Sequence, residues 1–135
     1  MRSMPEGMDA PQVLVVDDEP AIARAVTIAL HRAGFGAQAA QSAEGALALL
    51  KAERFDCMIV DLRMPDMRGD AFFELAAAIH PHLRERTLFT TGDITERADT
   101  LIAACKCPML RKPFDLQDVI ATVRTLVQQR QDVSA

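Results

Sequence analysis

The feature that most limits what this chain can fold into is an alternation repeated five times: a short apolar run, then a stretch with helical spacing. Val13 to Val16 is an unbroken apolar run, as expected of a strand buried on both faces. Asp17, Asp18 and Glu19 end it, and Pro20 suits the first turn of a helix. Ile22, Val26 and Leu30 form that helix's apolar stripe, and Gly34 is its natural stop. GAQAAQ, 36–41, reads as a short alanine-rich strand, after which Ser42 caps a helix carrying Ala43, Leu47 and Leu50 on one face. A clear strand, CMIVD at 57–61, runs into the loop LRMPDMRG. Phe72, Ala76 and Ile79 then sit at helical spacing until Pro81. Thr87 to Thr90 is a fourth strand, with Thr91, Gly92 and Asp93 as its exit loop. A helix through about 95–104 carries Leu101 and Ile102, and PMLRKPF holds a short fifth strand. Asp115 caps a last helix with the stripe Leu116, Ile120, Val123 and Val127, which frays after about Arg130. Strand and helix in strict alternation predict an α/β fold: a doubly wound, five-stranded parallel sheet with five helices on its two faces.

The 135 residues suffice for one domain, and half of them are hydrophobic, enough for a real core. The expected organisation is a flexible leader over 1–10, the folded domain over 11–130 and a tail over 131–135. Fifteen basic residues stand against 19 acidic ones, a net charge of −4. That balance argues against a nucleic-acid surface and against a polybasic membrane anchor. No apolar run approaches the roughly 18 residues of a membrane span, and MRSMPEGMDAPQ lacks the apolar centre of a secretory signal. Trp and Tyr are absent, so no platform for stacking bases is expected. Three cysteines, an odd number, fit a reducing, cytoplasmic setting better than a disulfide framework. Cys57 reads as a small buried hydrophobe, while Cys105 and Cys107 form a C-x-C with no second pair to complete a metal site. His31, His80 and His82 show no metal-binding spacing and read as solvated surface residues.

Chemistry concentrates where the strands end. Ligand sites in parallel α/β sheets lie outside the carboxyl ends of the strands. Asp17 and Asp18 follow strand one, Asp61 ends strand three, Thr90 and Thr91 end strand four, and Lys112 with Pro113 follows strand five. Three carboxylates this close need a counter-charge. Mg²⁺ supplies one, since it takes oxygen ligands, retains waters and commonly bridges carboxylates to phosphate. Lys112 is a compact charge suited to a phosphate oxygen, and the Thr91 hydroxyl can donate to the same oxygen. A central carboxylate in such a cleft can act as nucleophile and form an acyl phosphate, with electrostatic clamping and in-line positioning doing the catalysis.

These motifs together, VLVVDDEP, MIVDLRMPDMRG, LFTTG and LRKPF, resemble those of the receiver domain of two-component response regulators, over about residues 12–128. The resemblance implies a flavodoxin-like strand order 2-1-3-4-5. It implies that Asp61 accepts a phosphoryl group from a histidine kinase or a histidine phosphotransfer protein. Asp18 and Asp61 match the Mg²⁺-binding carboxylates, with Asp17 supporting them and the backbone carbonyl of Arg63 completing the protein ligands. Thr91 matches the switch hydroxyl, Lys112 the phosphate-contacting lysine, and Pro113 the proline after a cis peptide bond. Such a domain is not an enzyme beyond its own phosphotransfer and autodephosphorylation. The added charge would draw the loop after strand four toward Asp61 and reshape the face of the fourth helix, fifth strand and fifth helix, where an output protein of unknown identity docks. One position departs from the family pattern: Met109 stands three residues before Lys112, where an aromatic ring is usual. Arg63 and Asp93, each two residues past a site residue, are expected to tune phosphate lifetime, unless they form only a surface ion pair.

QQRQDVSA leaves no room for a DNA-binding module after the last helix. The chain reads as a stand-alone receiver or as part of a longer protein such as a hybrid kinase. Two other classes compete. One is a receiver-like adaptor that works without phosphorylation. The other is a phosphatase with an aspartate nucleophile, disfavoured because Asp17 and Asp18 are adjacent rather than at D-x-D spacing and Asp61 sits on a different strand.

Overall fold

The five apolar runs form five strands. In the computed structural model, which describes residues 10–92 and 106–134, the order is β1 (Gln12–Val16), α1 (Pro20–Arg32), β2 (Gly36–Ala40), α2 (Ala43–Ala52) and β3 (Cys57–Asp61). There follow α3 (Gly69–Ile79), a 3₁₀ turn (Pro81–Glu85), β4 (Thr87–Thr91), β5 (Met109–Arg111) and α4 (Leu116–Ser134). The helix expected at about 95–104, together with Asp93 and Cys105, lies outside the described residues. All pairings are parallel, as the alternation predicts, in the order β2-β1-β3-β4-β5 that the family resemblance implies.

Side chains alternate across a strand, so each strand feeds two separate cores. Val13, Val15, Cys57, Ile59 and Leu88 pack with Ala23, Val26 and Leu30 of α1 and Val119, Val123 and Leu126 of α4. Leu14, Val16, Met58, Val60 and Phe89 pack on the other face with Ala43, Ala46 and Leu50 of α2 and Phe72, Phe73 and Ala76 of α3. The buried line of α4 is thus Val119, Val123 and Leu126; Ile120 and Val127 flank it and Leu116 is exposed. The stripe read from the sequence was displaced by about one position around the helix. α4 also runs past Arg130 to Ser134, because Gln and Arg are good helix formers and no Gly or Pro interrupts them.

Burial pushes the Cys57 thiol up to about 12, so it behaves as the apolar filler expected of it. Two of the three histidines differ from expectation. His31 is exposed, but His80 and His82 are half-buried. Their Nε2 atoms lie 2.8 Å from the Leu50 carbonyl oxygen and 2.7 Å from that of Phe55. Pro81 ends α3 as anticipated, yet the chain then makes a 3₁₀ turn that buries Leu83 and brings the two rings to carbonyls in the last turn of α2 and just before β3. Nothing in the spacing of single histidines announces such carbonyl contacts. Burial holds the His82 ring below the ordinary imidazole value; the Phe55 contact opposes this, and Arg54, Arg86 and His80 add to it. The fold therefore favours the neutral ring, and its contribution to stability is present above about pH 6.5 and is lost as pH falls through that value. His82→Gln, which retains an N–H donor, is expected to flatten the pH dependence of the urea midpoint between pH 7.5 and 5.5.

Gly69 positions the loop after β3. A Cβ there would lie 2.6 Å from the Asp61 carbonyl oxygen and 2.7 Å from the Leu62 Cα, both backbone atoms that cannot swing aside. The Gly69 amide also donates to the Leu62 carbonyl at 3.0 Å. Gly69→Ala is expected to cost roughly 1–3 kcal/mol by overpacking, read as a lower urea midpoint.

Candidate phosphoryl and metal site

The alternation that fills the cores also assembles the site. Asp17 continues the side of Val13 and Val15, Asp61 that of Cys57 and Ile59, and Lys112 that of Leu110. All three therefore emerge on one face at the carboxyl edge. The Lys112 ammonium lies 2.9 Å from Asp61 Oδ2, 3.1 Å from Asp17 Oδ2 and 2.8 Å from Glu19 Oε1. Its three N–H donors are thus matched by three carboxylates. The Lys112–Pro113 peptide bond is cis.

Each acid is fixed by local backbone. Asp17 Oδ1 accepts from the Glu19 amide at 2.9 Å, and the Asp17 amide donates to the Ala40 carbonyl at 3.1 Å, tying the end of β1 to β2. Asp61 Oδ1 accepts from the Arg63 amide at 2.9 Å, while the Arg63 side chain is exposed. Asp61 and Asp17 are 3% exposed. Burial raises the Asp61 carboxyl above its ordinary value; the Arg63 amide and Lys112 pull it back only in part, and the Asp17 charge raises it further. For Lys112 burial works downward, but its bonds to Glu19, Asp61 and Asp17 outweigh that and hold it above the usual ammonium range.

One ligand oxygen from each of Asp17, Glu19 and Asp61 lies within 4.8 Å of the others. An all-oxygen, carboxylate-rich set of this kind suits a hard divalent cation such as Mg²⁺. Asp18, which the family resemblance matches to a Mg²⁺-binding carboxylate, is exposed and stands outside this triplet. Glu19 is the third acid gathered around Lys112. Sequence reading had treated it only as the end of the strand, and its one visible signal was its adjacency to the acidic pair.

Thr91 is the last residue of β4 rather than part of a loop, and it is fully buried. Its carbonyl accepts from the Lys112 amide at 2.7 Å, so the threonine and the lysine are joined through backbone. Thr90 is paired in register with Asp61, and its buried Oγ1 has no hydrogen-bond partner among the described residues. Met109 is half-buried, pairs with Phe89 and packs with the α2/α3 core. A residue that sequence reading missed is Asp66 in the loop after β3: its carboxylate accepts from the Ala43 and Glu44 amides at 3.1 and 3.0 Å. Those bonds hold its carboxyl below the ordinary value and clamp the loop to the first turn of α2, alongside the Ser42 cap.

The raised Asp61 carboxyl has a definite sign in stability. Its ionised form is disfavoured by folding, so the penalty is present at neutral pH and disappears as pH falls below the ordinary carboxylate value near 4. In EDTA, Asp61→Asn is expected to raise the urea midpoint at pH 7, with the gain shrinking toward zero near pH 4.

Comparison with known proteins agrees with this geometry. The family model for the response regulator receiver domain matches residues 13–124. The probable transcriptional regulatory protein TcrX of Mycobacterium tuberculosis is 31% identical over 116 residues, 86% of this chain and 49% of that protein. This chain thus spans about half the length of that relative, and 45% of the regulator TrcR from the same organism. Among solved structures, a receiver domain protein from Methanospirillum hungatei superposes with a TM-score of 0.84 at 22% identity, covering 92% of this chain and 98% of that one. A response regulator from Burkholderia pseudomallei, solved with a phosphorylated aspartic acid, a calcium ion and citrate, gives a TM-score of 0.76 at 25% identity, covering 93% of this chain and 73% of that one. A family match over most of the sequence, on the strand order that the family adopts, is decisive: this chain belongs to the response regulator receiver domains.

Proposed function

We propose that this domain is a phosphorylation switch whose acceptor is Asp61. The observation that carries the reading is a buried carboxylate at the carboxyl edge of the sheet, with an ammonium 2.9 Å from one oxygen. In the reaction an Asp61 oxygen attacks the donor's phosphorus. The P–N bond of a phosphohistidine on a kinase or phosphotransfer protein breaks, and its electron pair leaves on the imidazole nitrogen. The related protein from B. pseudomallei, solved with a phosphorylated aspartic acid, supports an aspartate acceptor.

A bound Mg²⁺ would neutralise the clustered acids and the negative oxygens of the incoming group. Asp17 and Asp61 are the buried carboxylates that would hold it; Asp18 would contribute by turning inward from its exposed position. Lys112 steadies the phosphoryl oxygens, and Thr91, joined to it by backbone, donates its hydroxyl. Movement there alters β5 and the neighbouring face of α4, where an output partner docks. With Met109 in place of an aromatic residue, that coupling proceeds without a ring changing rotamer. The buried Cys57 thiol accords with a reducing, cytoplasmic setting. Kinase, output partner and any further domain of the full protein belong to the same reading.

Intact-mass measurement with acetyl phosphate and Mg²⁺ tests the switch. One phosphoryl group should be added, and none in Asp61→Asn or in EDTA. If wild type gains nothing from acetyl phosphate and shows no spectral change with beryllofluoride, the adaptor reading replaces this one.

A further inference from the structure

Glu19 is the one carboxylate on Lys112 that the fold does not bury: its side chain is 57% exposed, against 5% for Asp17 and 4% for Asp61. It occupies the N-cap of α1, yet its side chain caps nothing. Where an N-cap side chain ordinarily accepts a helix amide, this one reaches to a lysine 93 residues away in sequence.

The ammonium has three carboxylate partners, one of them Asp61 Oδ2 itself. A phosphoryl group on Asp61 carries its oxygens beyond that atom, so an ammonium that follows them must loosen its hold on Asp17 or Glu19. Asp17 is a poor candidate, since it is buried and its Oδ1 is already held by the Glu19 amide, so its side chain has little room to turn away. Glu19 can turn into water at little cost, because exposed ion pairs are weak. Resting on the phosphoryl-acceptor reading above, we propose that Glu19 is a positioning residue: it holds Lys112 in the unmodified domain and is the partner the ammonium exchanges for the phosphoryl group. Glu19 thereby sets how readily the site takes up that group.

Two variants separate contact from charge. Glu19→Gln removes the charge. Glu19→Asp keeps it but is one methylene shorter, and Asp at an N-cap is drawn to the helix amides instead. Binding of beryllofluoride with Mg²⁺, followed by ¹⁹F NMR, and phosphorylation by acetyl phosphate, followed by intact mass, would be compared in wild type and both variants. The ¹⁵N signal of the Lys112 ammonium, recorded without Mg²⁺ or either phosphoryl reagent, reports the pair directly. If Glu19 is an exchanged tether, both variants bind beryllofluoride roughly two- to fivefold more tightly and accept phosphate correspondingly faster, the range expected from an exposed pair, and both shift the Lys112 signal. A Glu19→Asp protein that behaves as wild type while Glu19→Gln gains would overturn the tether in favour of charge acting through space. Weaker binding in both would also overturn it, making Glu19 a ligand of the cation. Wild-type protein that takes neither reagent would instead remove the phosphoryl-acceptor reading itself, whatever the variants do.

Discussion

A parallel sheet covered on both faces leaves its strands only one place to present charge, which is their ends. Every residue of β3 and β4 is buried, and β1 is buried from Val13 onward. Polar side chains inside such strands would need partners that an aliphatic core does not contain. The carboxyl edge is where the apolar requirement lapses, and the two-residue period of a strand then decides which side each terminal residue faces. Asp17, Asp61 and Lys112 meet because each lies an even number of residues beyond an inward-facing apolar residue on the α1/α4 side. The chemistry of the site is in this sense a by-product of packing register.

That explains why so much was legible. Five alternating units imply the layers, and the rule for parallel sheets points to the strand ends, so Asp17, Asp61, Thr91 and Lys112 could be gathered before any coordinates. Strand order came from family resemblance, since alternation does not distinguish 2-1-3-4-5 from other windings. What stayed hidden depended on side-chain reach across loops. Whether Asp18 or Glu19 turns toward the lysine depends on backbone angles at the first turn of α1, where both residue types are plausible. The same applies to Asp66, which looks like an ordinary turn residue in MPDMRG and becomes a helix cap only because α2 begins beside it. His80 and His82 were misjudged for a similar reason: their carbonyl partners lie 30 and 27 residues away.

Charge in the site is balanced unevenly. Lys112 gains from three acids, whereas Asp61 is left with a net burial penalty that one shared ammonium and one amide do not remove. On the proposed reading, a carboxylate that is under-solvated yet kept oriented by a backbone amide is better placed to act as nucleophile than one fully satisfied by cations. The receiver fold achieves this with few groups, which is why a single exposed glutamate can bear on the outcome.

The clamp at Asp66 has a mechanical side. Starting from Asp17, a bond to Ala40 reaches the end of β2; Ser42 and α2 follow, and Asp66 closes the path back to the loop that leaves Asp61. Together with the β1–β3 ladder this makes a hoop enclosing both acids. The spacing of Asp17 and Asp61 is then a property of the hoop's stiffness, not of either strand alone. Mutational drift at Asp66 would loosen that spacing without altering any group that touches the reacting atoms, so the residue carries mechanical information that an inventory of site contacts leaves out.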